Sequence, residues 1–538
     1  MERNNMSNPR KIRDYDLEKI KTVPKNSIFK LIFSRICISG LLIILQVLVL
    51  AAVTLSWSER HTKEVILLFI LLVSAGIFIV ILNSESNPTY KISWIIPVAL
   101  LPFFGSLLYL LSHYNIGSIA STKSVCQSLK DTEKYSHTSP EVRDALHMQN
   151  RRVAALSRYI ENAGGYATYR NTSIRYFPLG DDAFPEMVKQ LEKAEYFIFL
   201  EFFIIKEGIF WNTLLEILQR KAREGVEVRV MYDDIGCMTT LPRDYVSKLN
   251  SMGIKAKTFA KVTPFFSTHY NNRDHRKILV IDGKAAFSGG INLADEYINR
   301  EERFGKWKDN SFLVQGDAVR NYTLMFLQLW NTTVSQDAKI YQPYINISGG
   351  RQPGEGDGFV IPYGDGPHSH VSVAQSVYLN VIHGAVDHIH IMTPYLILDD
   401  EMLNSLKRAA KSGIDVRILL PHIPDKKTIN LIGKSYYPEL LEAGIHIYEY
   451  TPGFIHSKVM EADGNIAIAG TINLDFRSLY LHYECACLIF ENDVLQDITE
   501  DFRHTFAESH RITMSDYKKI NLLKRFAGRV LRIFAPQV

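Results

Sequence analysis

The chain carries the same polar constellation twice inside otherwise apolar sequence, and this duplication constrains its fold more than any other feature. The first copy is "NRDHRKILVIDGKAAFSGGINLADEY" (272–297) and the second is "HSKVMEADGNIAIAGTINLD" (456–475). His275, Lys277 and Asp282 match His456, Lys458 and Asp463, each set spaced H-x-K-x4-D. Asn292 follows Lys277 by 15 residues, and Asn473 follows Lys458 by 15. The two histidines stand 181 residues apart, about one repeat.

The flanking sequence is duplicated too. "AEYFIFLEFF" (194–203) leads through the helical pattern "WNTLLEILQRKAREG" to "VEVRVMYDD". "VDHIHIMTPYLI" (386–397) leads through "DEMLNSLKRAAKSG" to "IDVRILLPH". Each block reads as a buried strand, an amphipathic helix ending at Gly225 or Gly413, and a second buried strand. Strand–helix–strand units of this kind predict parallel sheet with helical crossovers. Between the halves, "NISGGRQPGEGDGFVIPYGDGP" (346–367) is rich in Gly and Pro, as linkers are.

Residues two apart on a strand share a face, so His275 projects with Lys277 and His456 with Lys458. Asp282 and Asp463 fall on the far side of the strand and brace it. If the halves pack about a pseudo-two-fold axis, two imidazoles, two ammonium groups and two Asn amides meet in one pocket. Cations and amide donors suit a phosphate group. Two histidines suit displacement at phosphorus, one attacking and the other protonating the leaving oxygen. A lone histidine in a strand is ordinarily structural; recurrence of the whole set, Asn included, is what sets these apart. Zinc is disfavoured, because Lys is not an ordinary ligand and no Cys/His/carboxylate trio stands at metal spacing.

At 538 residues the chain is too long for one ordinary domain. Its five cysteines (Cys37, Cys126, Cys237, Cys485, Cys487) are odd in number and scattered, which excludes a disulfide framework. Ahead of the duplicated part stand three charge-free stretches, 36–57, 65–82 and 92–112, each near the length needed to cross a bilayer. A cleavable signal is a poor fit, since a 35-residue polar segment comes first. The chain is therefore read as a membrane protein. Residues 1–35 carry nine Lys/Arg and 114–152 carry six, against three in the two connectors. The positive-inside rule then favours both flanks in the cytoplasm and an even number of crossings. Pro97, Pro102 and Gly105 suit a kinked or re-entrant third stretch, giving two membrane helices; a full third crossing would place everything downstream outside. The organisation expected is a basic segment (1–35), a membrane region (36–113), a linker (114–152), a first domain (153–345), a linker (346–370) and a second domain (371–538).

The duplicated H-x-K-x4-D motifs, with "GGINLADEY", "WKDNSFLVQGDAV", "TPYLILDD" and "GTINLDFRSLYLHYE", resemble the phospholipase D superfamily and within it the bacterial cardiolipin synthases. The resemblance covers roughly 90–538, and both motifs are complete. It implies an α/β fold: N-terminal transmembrane helices, then two pseudo-symmetric phospholipase D-like α/β/α domains with mixed, largely parallel sheets. The three-stretch N-terminus departs from the family's two-segment pattern.

The same resemblance implies a ping-pong transfer in which one histidine attacks phosphatidylglycerol, expels glycerol and holds the phosphatidyl group. The hydroxyl of a second phosphatidylglycerol then takes that group, giving cardiolipin. No metal or other cofactor is required, because Lys277, Lys458, Asn292 and Asn473 can cradle the phosphate oxygens. By the same analogy His275 is the nucleophile and His456 the acid, then base, although pseudo-symmetry makes either choice chemically sensible. Glu484, in "LHYEC", matches the family position for a carboxylate that orients a histidine, and Asp309, in "WKDNS", is its counterpart in the first half.

The partners so implied are phosphatidylglycerol, cardiolipin and the lipid bilayer. The C-terminal "KKINLLKRFAGRVLRIF" (518–534) mixes six basic residues with apolar ones, which suits an anionic bilayer surface or a last helix packed on the core. "FIFLEFFI" and "FFSTHY" fit an acyl-chain entrance, and the first fits the sheet core equally. The motifs fix the phosphohistidine chemistry better than the acceptor, so water or another alcohol stays open. Nucleic acid is disfavoured by the membrane stretches and the lack of a concentrated basic stripe, the net charge being only +4. A catalytically silent membrane scaffold is opposed by two intact motifs. Oligomeric state, a homo-oligomer included, is not set by the sequence.

Overall fold

The structure, a computed structural model, describes residues 60–113, 116–260, 272–333, 341–345, 358–367 and 372–537. The first apolar stretch (36–57), the basic N-terminal segment, "FFSTHY" and most of the Gly/Pro-rich linker lie outside the described residues.

Two compact units divide the chain, and the smaller holds residues up to 80 together with 97–107. The helix Arg60–Asn83 contains a 20-residue span, Glu64–Asn83, with a mean hydropathy of 3.3. It is the one helix among the described residues long and apolar enough to cross a membrane. The third apolar stretch is broken in two, Pro88–Leu100 and Pro102–His113. At 1.5 Å per residue, neither piece reaches the roughly 30 Å of a hydrocarbon core. Gly105 lies so close to the Pro97 carbonyl that a Cβ there would come within 2.2 Å of its oxygen, so only glycine permits the fold-back.

The larger unit holds both halves of the duplication. Its first-half strands are β1 (Thr172–Phe177), β2 (Phe197–Phe202), β3 (Glu227–Asp233), β4 (Lys255–Phe259), β5 (Lys277–Ile281), β6 (Ala285–Gly289), β7 (Lys306–Lys308) and β8 (Ser311–Gly316). The remaining strands are β9 (Phe359–Asp365), β10 (His388–Met392), β11 (Asp415–Pro421), β12 (His446–Tyr450), β13 (Gly453–Ile455), β14 (Val459–Ala462), β15 (Ile466–Gly470), β16 (Glu484–Phe490) and β17 (Ser509–Ile512). One sheet runs β1-β8-β6-β5-β2-β3-β4 and the other β17-β12-β11-β10-β14-β15-β16-β9. The Gly/Pro-rich stretch read as a linker thus ends in an edge strand, β9, whose "FVIPYGD" is wholly buried.

The expectation of largely parallel sheets is corrected. Within the two large sheets, parallel pairing joins only β2–β3–β4 and β10–β11–β12, the helices Ile209–Arg223 and Asp400–Lys411 crossing from β2 to β3 and from β10 to β11; the separate pair β13–β7 is parallel too. Every other neighbour within the two sheets is antiparallel. The physical reason is a hairpin after each motif strand. Asp282 and Gly283 both have positive φ (53° and 64°), and Lys284 N–H closes on Ile281 C=O at 3.0 Å. Asp463 and Gly464 repeat that turn at 54° and 67°. Two such residues make the type I′ turn that an Asp-Gly pair favours.

One apolar cluster runs through both halves, with Phe199, Ile278 and Val314 from the first sheet and Ile391, Ile468 and Leu488 from the second. Burial on this scale makes the halves one folding unit rather than two beads.

Candidate active site

Both motif histidines sit immediately ahead of a strand rather than in it: β5 begins at Lys277 and β14 at Val459. Each is held there by the opposite half. His275 N–H donates to the carbonyl of Tyr483 at 2.9 Å, and His456 N–H to that of Lys308 at 2.7 Å. The second contact extends the two-stranded pairing of β13 with β7, a strand from each half side by side.

The side chains cross over as well. His275 Nδ1 lies 2.9 and 3.0 Å from the two carboxylate oxygens of Glu484. His456 Nδ1 lies 2.5 Å from Asp309 Oδ2. Each imidazole is therefore oriented by a carboxylate from the other half, and each leaves Nε2 free of that contact. All four side chains are buried or nearly so. The two carboxylates occupy corresponding places, yet the Asp309 side chain is one methylene shorter than that of Glu484. Gly290 makes the difference good, because a Cβ on it would meet Asp309 Oδ1 at 1.9 Å. At the matching position of the second half Thr471 stands instead, and its hydroxyl donates to Glu484 Oε2. The difference between "GGIN" (289–292) and "GTIN" (470–473) is thus a difference between the two orienting acids.

Lys277 Nζ donates to the carbonyl of His275 at 2.7 Å, and Lys458 Nζ to that of His456. Burial disfavours a charged ammonium, lowering Lys277 to about 8 and Lys458 to about 7. His456 is lowered to about 4, by burial first and then by the Lys458 charge. His275 is pushed well below its ordinary value by burial and Lys277, with His482, Lys458 and His456 adding to the effect. Burial raises Glu484 well above the usual carboxylate range. The free site therefore holds neutral imidazoles beside cations that await an anion.

Asp282 and Asp463 stand at the positive-φ turn positions, not on the strand face. Asp282 accepts from the backbone N–H groups of Glu195, Tyr196 and Phe197, and Asp463 from those of Val386, Asp387 and His388. Asn292 accepts from Ile204 N–H at 3.1 Å and donates to Tyr297 Oη at 2.7 Å. The Tyr297 ring in turn lies 5.5 Å from that of His456. Asn473 donates to Ser478 Oγ at 3.2 Å, while its buried carbonyl oxygen has no partner among the described residues.

Sequence reasoning missed Thr471, Tyr297 and a third histidine. The His482 ring is 5.6 Å from that of His275, and its Nδ1 is 3.8 Å from Glu484 Oε1. Trp307 takes the corresponding place beside His456, with ring centroids 5.5 Å apart. The available signal was position, since each residue lies two before its half's orienting acid.

Two groups among the described residues have metal-competent atoms within 4.8 Å of one another: His275, His482 and Glu484, and His388, His390 and Glu461. The sequence expectation that no such trio exists is corrected, because both are assembled from separate strands or loops. Lys277 and Lys458 beside the first repel a divalent cation and favour an anion.

The family model described as "Cardiolipin synthase, PLD-like domain" matches residues 187–330 and 378–506, and "Phospholipase_D-nuclease N-terminal" matches 66–112. An uncharacterized protein of Streptococcus mutans is 45% identical over 86% of this chain and 99% of its own. A cardiolipin synthase of Geobacillus kaustophilus is 34% identical over 92% of this chain and 98% of its own. Cardiolipin synthase 2 of Bacillus anthracis is 33% identical over 85% and 88%. The solved phosphatidylserine synthase of Haemophilus influenzae has a TM-score of 0.53 at 13% identity, over 71% of this chain and 97% of its own, and so shares the fold.

Proposed function

We propose, for a chain that belongs to the cardiolipin synthase family of phospholipase D-like proteins, that this phosphatidyltransferase makes cardiolipin and glycerol from two molecules of phosphatidylglycerol. The observation that carries this reading is the crossed pair of imidazoles, each fixed by a carboxylate on Nδ1, beside two buried lysines. His275 Nε2 attacks the phosphorus of the first phosphatidylglycerol, forming a P–N bond as the P–O bond to glycerol breaks. His456 Nε2 gives its proton to the departing glycerol oxygen. Now neutral, His456 takes the proton from a glycerol hydroxyl of the second phosphatidylglycerol, whose oxygen attacks phosphorus. The P–N bond breaks and both histidines return to their starting states.

Roles are divided in this direction because Asp309, by charge and hydrogen bond, works to raise the proton affinity of His456. Glu484 stands as close to His275 Nδ1, but four basic neighbours, Lys277, His482, Lys458 and His456, work against protonation there. A phosphodiester anion in the pocket offsets the lysine charges, which lets His456 take up the proton it donates. Lys277 and Lys458 hold the non-bridging oxygens, where negative charge builds in the transition state. Asn292 and Asn473 position the surrounding loops through Tyr297 and Ser478.

The substrate is a bilayer lipid, and two features fit delivery from a membrane. The helix Arg60–Asn83 is long and apolar enough to anchor the chain in a bilayer. The C-terminal helix Leu522–Ile533 is seated through Gly528, where a Cβ would come within 2.6 Å of the Leu431 carbonyl oxygen. Its other side exposes Leu522, Leu523, Phe526, Val530 and Ile533 next to Lys524 and Arg529. Both sequence readings of this segment therefore apply, a packed face and a face for anionic lipid.

The test is to incubate the full chain in detergent micelles with phosphatidylglycerol alone, beside His275→Ala and His456→Ala. Cardiolipin with one glycerol released per molecule, lost in both variants, is the expected result. Phosphatidic acid in place of cardiolipin would assign water as the acceptor and overturn the synthase reading.

A further inference from the structure

The two halves share a backbone plan but differ sharply at one patch away from the phosphate pocket. In the first half Phe199 on β2 lies opposite Val280 on β5, with Phe197 two residues back on the same face. In the second half His390 on β10 lies opposite Glu461 on β14, with His388 two residues back. The correspondence is fixed by the turns, since Asp282 binds Phe197 N–H just as Asp463 binds His388 N–H. The rings keep their places: centroids are 4.4 Å apart for Phe197 and Phe199, and 4.5 Å for His388 and His390. The next strand is unchanged in kind, Glu227 pairing with Arg229 on β3 as Asp415 pairs with Arg417 on β11. An apolar Phe/Phe/Val trio has thus become His/His/Glu, while its surroundings kept their chemistry.

The fold does not need polarity at these positions, because the first half fills them with hydrocarbon. Tyr344 and Phe326 cover the phenylalanines there, at 5.0 and 4.6 Å from the Phe199 ring. In the second half Phe502 and Phe506 lie 5.6 and 5.2 Å from the His390 ring. Glu461 is wholly buried, and burying a carboxylate is costly unless something positive or hydrogen-bonding compensates it.

The three side chains bring their metal-competent atoms within 4.8 Å of one another. His388 Nε2 is 3.0 Å from Glu461 Oε1, and His390 Nδ1 is 3.2 Å from Oε2. The His390 contact is not aligned as a hydrogen bond, so Nδ1 faces the carboxylate closely without donating to it. Two ligands about 2.0–2.1 Å from a tetrahedral zinc stand about 3.3–3.4 Å apart, close to what these strands already provide. Two imidazoles and one carboxylate are a common zinc donor set, leaving a fourth position for water. The charged groups nearby on the same sheet face are Asp415, Arg417 and His446, and Asp415 stands directly opposite His388.

We infer that His388, His390 and Glu461 form a binding site for a borderline divalent transition metal, with zinc the natural occupant, separate from the phosphate pocket. The ion ties β10 to β14, the strand that begins one residue after Lys458. It takes no part in transfer; it is a clip on the strand that carries the second motif.

The experiment uses untagged full chain in detergent, stripped with chelator and titrated with Zn2+ and, separately, with Co2+. One zinc retained per chain after desalting, visible d–d bands of tetrahedral cobalt and a raised Tm are expected. Replacing the trio by its first-half equivalents, His388→Phe, His390→Phe and Glu461→Val together, abolishes all three signals. Because that change remodels a buried patch, His390→Gln alone serves as the gentler variant and weakens zinc by more than about tenfold. His275→Ala keeps the zinc. Absence of stoichiometric zinc in wild type overturns the inference. Zinc that survives the triple replacement, or is lost only in His275→Ala and so belongs to the phosphate pocket, overturns it too. None of these readouts depends on which lipid the enzyme converts.

Discussion

Glu484 of the second half, not an acid of the first, orients His275, and Asp309 of the first half orients His456. The pairing assigns each acid to one step and predicts how leaving-group chemistry divides the variants. Protonation by His456 matters when the leaving group is a glycerol alkoxide and matters little when it is p-nitrophenolate. Asp309→Asn and His456→Ala should each lose about 10²–10⁴-fold with phosphatidylglycerol, the usual worth of a placed acid or base. With a p-nitrophenyl phosphodiester most of that loss should vanish in single-turnover release of p-nitrophenol. Glu484→Gln and His275→Ala act on the nucleophile and should stay impaired with both substrates. The reverse pattern would exchange the two histidines' roles.

Gly290 is predicted to tolerate no side chain. Alanine there places a methyl within 1.9 Å of Asp309 Oδ1, so the carboxylate must leave His456 Nδ1. Loss of an orienting charged hydrogen bond is worth about 1.5–3 kcal/mol, hence roughly ten- to hundredfold in kcat with little change in KM. Thr471→Val removes the hydroxyl that serves Glu484 and should cost a similar factor, restored by Thr471→Ser. Steady-state kinetics of the three variants checks the relation; an unimpaired Gly290→Ala would show that Asp309 does not work through this contact.

The C-terminal helix offers a separable test of membrane delivery. Phe526 is 66% exposed and Leu523 76% exposed, on the side away from Gly528. Phe526→Asp with Leu523→Asp should weaken the catalytic unit's hold on anionic vesicles and lower turnover there by about three- to tenfold, each large apolar side chain contributing about 1.5–3 kcal/mol when fully buried. Turnover in mixed micelles, where substrate surrounds the protein, should change little. Equal losses in both media would mean that the helix serves packing alone.

What the sequence revealed here depended on whether a relation was local. His275, Lys277, Asp282 and their partners were legible because the set recurs at fixed spacing, and recurrence is visible along a chain. Which acid serves which histidine was not, since it depends on β13 running beside β7, a pairing across 147 residues. The excess of parallel sheet came from reading strand–helix–strand blocks as the whole sheet. The correcting signal stood in "VIDGKAA" and "EADGNIA", whose Asp-Gly pairs announce hairpins. Nothing local in "HIHIM" marks His388 and His390 as a pair of ligands. Glu461, the residue that changes their meaning, lies 71 positions beyond His390.

The depressed lysines make activity and stability depend on pH in opposite senses. Lys458 at about 7 and Lys277 at about 8 must be protonated to hold a phosphodiester, so kcat/KM should fall as pH rises through 7–8. Lys458→Arg, whose guanidinium keeps its proton, should carry the alkaline limb upward even if its rate is lower. For stability, the unfolded chain holds these protons up to about 10.4, above the folded values. Between the folded and unfolded values the unfolded state therefore binds more protons, and stability rises with pH across that window. The cost of burying the two charges is full below about pH 7 and gone above about 10.4. Lys458→Met should accordingly raise Tm at pH 6 by an amount worth about 1–2 kcal/mol, with the advantage fading towards pH 10 while transfer is abolished at both. Thermal melts of wild type and Lys458→Met across that range decide it: a variant no more stable at pH 6 would show that its ammonium is fully compensated in the free enzyme.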